Sequence, residues 1–372
     1  AYTEALPRVT EFYTALGADE RLYAKYKAVA ASPAAASLAA PRRKALANAM
    51  RDFRLSGAEL QGAAKERFAA IQARLAELGQ SFSEHVLDAT DAYEYVATPD
   101  ELEGVPEDVL AATRTEDGRH RLRLHMPVYI PVMQYARNRQ LRETLYRAHV
   151  TRASELGTPE RDNSAAMDEI LALRQEEATL LGYASYAELS LVPKMAESPR
   201  QVLDFLADLA RRARPHAERD LAELRDFAAA ELGLADFQAW DHAFVSERLK
   251  EARYAFSDTE VKQYFTEPRV LAGLFRIIET LFEVAIRPDT APVWHDSVRF
   301  FRIERAGQLV GQFYLDPYAR PGKRPGAWMD DVRGRWARPE AALQTPVAQL
   351  VCNFAPPVGD KPALLSHDDV LT

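Results

Sequence analysis

Val298-Arg-Phe-Phe301 and Gln308-Leu-Val-Gly-Gln-Phe-Tyr-Leu-Asp316, facing each other across Arg305-Ala-Gly307, decide the reading of the fold. Both runs are apolar, β-branched and aromatic, and the glycine turn between them makes a hairpin the expected form. Thr345-Pro-Val-Ala-Gln-Leu-Val-Cys-Asn-Phe354 is a further strand candidate, closed by Pro356-Pro357 because neither proline can donate to a ladder. Between them lies a proline and glycine loop from Pro317 to Gly326. The strands therefore cluster late in the chain.

Upstream the apolar period is helical. It is expected from Val9 to about Val29, and Pro33 to Pro41 is expected as a loop. A long helix carries Phe68, Ile71, Leu75, Leu78 and Phe82 at spacings of three and four, the seam of a helix packed lengthwise on another. The period drops to two at Tyr93-Glu-Tyr-Val96 and Arg121-Leu-Arg-Leu124, which predicts a short strand pair, ended by Pro127 to Pro131. Helices are expected again through Tyr135 to Leu156, Asn163 to Leu181 and Tyr183 to Leu191. Ser198-Pro199 opens another, which Pro215 should kink or divide, and two more follow, Trp240 to Tyr254 and about Arg269 to Ala285. The fold class is mainly α with a small β-sheet near the C-terminal end. The expected division is a helical lobe over 1–235, with its strand insertion near 93–125, and helices plus the sheet over 236–372.

Composition narrows the function classes. An apolar share of 47% supports a real core, and the net charge of -8 gives no electrostatic footprint for nucleic acid or an anionic membrane. No apolar run reaches the roughly 18 to 20 residues that span a bilayer. A single cysteine, Cys352, excludes an intrachain disulfide framework and fits a reducing, cytoplasmic setting.

Catalytic groups are harder to find. The eight histidines form no His-x-x-x-His pair. His120 and His125, five apart on a strand-like segment, should point to opposite faces; His85 lies on the helical seam; His149 follows a basic helical stretch and is expected at the surface. Ser366-His-Asp-Asp369 matches a capping box, so its acids are explained by exposed helix amides rather than by a metal. The box opens a helix with almost no sequence left to form it, so the native chain is expected to continue past Thr372, and the start at Ala1 also has the look of a trimmed end. Glu279 with Glu283, and Glu176 with Glu177, are expected on solvated faces, and Cys352 reads as a buried small hydrophobe. The glycines fit no phosphate loop. Gly326-Ala-Trp-Met329 reads either as a plain loop after the hairpin or as small residues on an edge strand, where an extended peptide could pair by its backbone.

Several long segments carry a resemblance. Leu181-Gly-Tyr-Ala-Ser-Tyr-Ala-Glu-Leu189, Lys194-Met-Ala-Glu-Ser-Pro199, Trp240-Asp-His-Ala-Phe-Val-Ser-Glu-Arg-Leu-Lys250, Gly311-Gln-Phe-Tyr-Leu-Asp-Pro-Tyr-Ala-Arg320, Gly326-Ala-Trp-Met-Asp330 and Lys361-Pro-Ala-Leu-Leu-Ser-His-Asp-Asp-Val370 follow in order. Together they resemble the thimet oligopeptidase family of zinc metallopeptidases over nearly the whole chain. The resemblance implies a monomeric, two-lobed helical channel that admits short peptides. It implies that zinc polarises the scissile carbonyl and activates a water while a glutamate takes the proton. In that family the segment matching Ser366 to Thr372 leads into the His-Glu-x-x-His helix, which is absent from these residues. The chain is thus expected to hold no catalytic residue and no zinc ligand, to be inactive alone, and to contribute Gly326, Ala327 and Trp328 along the substrate. The competing expectation is a non-catalytic helical module that binds peptides without cleaving them.

Overall fold

The computed structural model describes residues 2–255 and 257–372. It is mainly α-helical, with one two-stranded and one five-stranded sheet among the described residues. The chain forms two compact units, each built from two chain segments: up to Val86 with Ala153–Asp220, and Leu87–Arg152 with Leu221–Thr372.

In the first unit the expected seam is present. Ile71 and Leu78, on the helix Gly62–Ala92, are buried with Leu173 of the helix Ser164–Leu180, and Leu75, Ile170 and Leu180 pack around them. Two bidentate pairs run along the same helices, Arg67 to Glu176 (2.6 and 2.7 Å) and Arg74 to Glu169 (2.6 and 2.8 Å). The expected helix from Val9 to Val29 is in fact two, Tyr2–Gly17 and Glu20–Ala30. Asp19 makes the break, because its carboxylate accepts from the Arg21 and Leu22 amides and opens the second helix as its cap. The loop expected at Pro33 to Pro41 holds a short helix, Pro33–Ala36, and the start of another, Ala40–Leu55. The helix Pro199–Leu232 carries Pro215 without being divided. The proline frees only the carbonyl four residues back, at exposed Arg211, where water can satisfy it.

The second unit has its own core. The short strands β1 (Tyr95–Ala97) and β2 (His120–Leu122) pair antiparallel, with Val96 opposite Arg121. Ala97, Leu122 and Leu124 are buried there with Val132 of the helix Met126–Tyr135 and with Leu141 and Leu145 of Arg139–Val150. Pro127 thus starts a helix rather than a loop, since a first-turn residue needs no amide donor. Below this core Arg142, 1% exposed, and Arg139 share the fully buried Asp241 (2.8 and 2.7 Å).

The five-stranded sheet of this unit has the order β3-β4-β5-β7-β6, built from β3 (Ala285–Asp289), β4 (Arg299–Arg305), β5 (Gln308–Tyr318), β6 (Trp328–Arg333) and β7 (Val347–Phe354). The β4–β5 hairpin is as expected. Its turn residues Ala306 and Gly307 have φ of 49° and 75°, the left-handed pair that matches the twist of the flanking strands. β5 and β7 run parallel, whereas β6 returns antiparallel to β7 and forms the edge. One face is packed by the helix Glu267–Phe282, whose Phe275 meets Phe301 and Phe313 edge-on. That helix stops short of the expected Ala285, because Glu283 turns left-handed at φ 52° and the chain leaves as β3. Pro288 is tolerated in β3 because β3 is the other edge.

Candidate functional site

Three main-chain carbonyls and one carboxylate converge on a single ammonium between β5, β7 and the loop after β5. Lys323 Nζ donates to the carbonyls of Asp316 (3.0 Å), Tyr318 (2.8 Å) and Cys352 (2.5 Å) and to the Asp316 carboxylate (2.9 Å). Asp316 is 2% exposed and also accepts from both terminal nitrogens of Arg320 (2.6 and 2.8 Å) and from Trp294 Nε1 (3.0 Å). Burial alone would raise its carboxyl, but the Arg320, Lys323 and Trp294 donors outweigh burial and hold it well below the ordinary carboxylate range. The loop is pinned from a second side, where the Gly322 amide donates to Asp91 (2.7 Å), itself paired with His125 Nε2 (2.8 Å).

This cluster fixes the entry to the edge strand. Asn353 of β7 donates from Nδ2 to the carbonyls of Arg324 (3.0 Å) and Gly326 (2.7 Å). Gly326 turns at φ 99°, a conformation that side chains disfavour, and Ala327 and Trp328 then run into β6. Trp328 sits opposite Val351, Met329 opposite Leu350 and Asp330 opposite Gln349. Among the described residues no strand pairs with the outer side of β6, and from Met329 to Arg333 it is exposed. The Asp331 amide is taken up by the neighbouring Asp330 carboxylate (2.9 Å), which places it on that outer side. In an extended strand amides two residues apart share a side, so the Met329 amide and carbonyl point outward with it. Beside Trp328 a cleft of about 270 Å³ is lined by Trp294, Asp316, Arg320, Arg324 and Gln349, among others.

Of the two readings of Gly326-Ala-Trp-Met329, the structure has the edge strand, with Gly326 and Ala327 as its lead-in. The sequence reading missed the clamp that holds it. A proline and glycine loop gives no sign that Lys323 is buried, and Asp316, Arg320 and Trp294 gain meaning only when β5 and β7 lie side by side.

His85, His120 and His149 are engaged away from this cluster, and His125 only supports it through Asp91. His85 Nδ1 lies 2.8 Å from Asn163 Oδ1, and His120 is buried against the Thr113 hydroxyl (3.1 Å). His125 is not on a strand; it directly precedes the helix Met126–Tyr135. His149 is half-buried rather than exposed: its ring stacks on Tyr129 at 4.2 Å, and burial, with the Arg152 charge, pushes it down to about 4. The two-residue spacing of Arg147 and His149 hides this, because they fall on different helix faces. Ser366 and Asp369 form the expected capping box around His367–Leu371. Glu176 pairs with Arg67, Glu279 accepts from the Ile286 amide (2.8 Å), and burial pushes the Cys352 thiol up. Among the described residues no three His, Cys, Asp or Glu side chains gather as metal ligands. The residues present do not fit a zinc centre. No helix among them is long and apolar enough to cross a membrane.

Comparison with known proteins adds what geometry cannot. Residues 132–372 match Peptidase family M3. The chain belongs to this family. Over its whole length this M3 chain is 46% identical to oligopeptidase A of Salmonella typhimurium and 45% identical to that of Escherichia coli, covering 56% of each protein. It is 38% identical to the organellar oligopeptidase A of Arabidopsis thaliana, covering 49% of that protein. The chain thus spans about half the length of the curated relatives it matches.

Proposed function

We propose that this chain is the substrate-binding portion of a zinc oligopeptidase that hydrolyses short peptides in the cytoplasm as a monomer. An extended peptide adds to the outer edge of β6, passing Gly326, Ala327 and Trp328 and pairing with the Met329 amide and carbonyl. The observation that carries this reading is the unpaired, exposed outer side of β6, positioned by a buried clamp. Membership of family M3 and the likeness to oligopeptidase A support peptides as the ligand class. Backbone pairing supplies affinity that is tolerant of sequence, which suits an enzyme acting on many peptides.

Zinc enters this reading through the resemblance alone. These residues offer it no ligand group, so no hydrolytic step is assigned to them.

One experiment addresses both halves. A quenched fluorescent heptapeptide is titrated into the 372-residue chain, and binding and hydrolysis are followed together, with and without added zinc. The expected outcome is saturable binding with no hydrolysis above buffer under either condition. Chelator-sensitive cleavage would overturn the assignment of inactivity, and absence of binding would overturn the edge-strand site.

A further inference from the structure

We propose that the cleft beside β6 is a subsite for a carboxylate of the bound peptide, with Arg324 as the residue that selects it. The inference rests on the edge-strand reading and names a feature of the substrate that this edge prefers.

Register puts the cleft within reach of such a peptide. Trp328 lies opposite Val351, which lies alongside Asp316, and Gln349 is two residues before Val351. These side chains therefore share one face of the sheet, and the cleft opens on that face at its edge. A peptide paired outside β6 projects every second side chain to the same face. The nearest of them meets Trp328 first.

The charge of the lining is one-sided. Arg320, Lys323 and Arg324 face a single carboxylate, Asp316, in a chain whose net charge is -8. Two of these cations are committed, Arg320 by its bidentate pair and Lys323 by four acceptors. Arg324 is not. Its guanidinium lies over the Trp328 ring at 5.9 Å, and among the described residues it has no carboxylate within ion-pair distance. Its backbone is fixed all the same, because Asn353 holds its carbonyl. A guanidinium stacked on an indole keeps its planar fork free for a carboxylate, and the Trp294 and Trp328 rings suit the methylene stem that would carry one. The carboxylate can come from an acidic side chain or from the peptide's own terminus, and the chemistry of recognition is the same.

Tryptophan fluorescence titrations of the 372-residue chain test this with three kinds of heptapeptide. One set is amidated at the C-terminus, with glutamate scanned through every position; the second is the amidated all-glutamine counterpart; the third is that counterpart with a free terminus. The expected result is that a glutamate peptide or the free acid binds about tenfold more tightly than the amidated glutamine peptide, as a charge-assisted hydrogen bond implies. Which of the two gains the advantage identifies the source. Arg324→Gln should erase the preference while leaving the neutral peptide's affinity within about twofold, and Arg324→Lys should keep part of it. Equal affinity for all three kinds in the unsubstituted chain overturns the subsite and leaves the edge-strand site standing. No binding by any of them overturns both. A preference that survives in Arg324→Gln overturns the role given to Arg324.

Discussion

Lys323 is the residue on which the β6 region depends. Its ammonium serves four acceptors in a position only 9% exposed, so an apolar replacement would strand Asp316's carboxylate and three carbonyls without their common donor. Lys323→Met is expected to cost about 1–3 kcal/mol, the range for leaving buried acceptors without their donor, since Asp316 keeps Arg320 and Trp294; the loss is read as a lowered urea midpoint. A second residue sets a pH dependence. His149 titrates at about 4 in the folded chain and at the ordinary 6.5 when unfolded. Its folded pKa is depressed, so the neutral ring is favoured by folding: that contribution is fully present above pH 6.5 and is lost as pH falls towards 4. Between those values unfolding should become easier by up to about 3 kcal/mol, and His149→Phe, which keeps a ring against Tyr129, should flatten that part of the profile. An unchanged slope would place the His149 ring in water. Neither residue was legible in one dimension. Lysines in glycine loops are ordinarily solvated, and nothing near Lys323 in sequence announces the Cys352 carbonyl.

Elements were read more faithfully than residues, and the differences have local causes. The β4–β5 hairpin, β7 and the Ser366 cap all follow from short-range patterns, the period of two, a glycine turn and a serine three residues before an acid. The helix Glu267–Phe282 is expected to reach Ala285, the first residue of β3, because Ala285 continues an apolar run, whereas the left-handed Glu283 that ends the helix is not a residue type that signals a stop. β6 was suspected from small residues alone, and its edge position depends on β7 standing between it and β5. That position supports a prediction with two arms. Met329→Pro removes an outward amide and should weaken peptide binding at least about tenfold while leaving the melting temperature nearly unchanged. Asp330→Pro removes an amide directed at β7 and should lower stability by about 1–3 kcal/mol. Normal peptide affinity in a folded Met329→Pro variant would mean that the outer edge of β6 is not where peptides pair.

At the scale of the whole molecule, both compact units are assembled from segments distant in sequence. The seam on Gly62–Ala92 was visible as a pattern, but its partner was not, since a seam says that something packs there and not what. Leu173, which closes that core, follows the entire first segment of the other unit, and the residues that complete the β1–β2 region's unit begin only at Leu221. This order has a consequence for biosynthesis. As the polypeptide leaves the ribosome, Ile71 and Leu78 emerge long before Leu173, and the segment Leu87–Arg152 emerges before the five-stranded sheet of its own unit exists. The core around β1 and β2 can close within Leu87–Arg152, whereas the seam on Gly62–Ala92 cannot close on the first segment that appears. That seam must wait, with apolar surface uncovered, for sequence still being translated, which makes the nascent chain a natural client for chaperones that shield such surface.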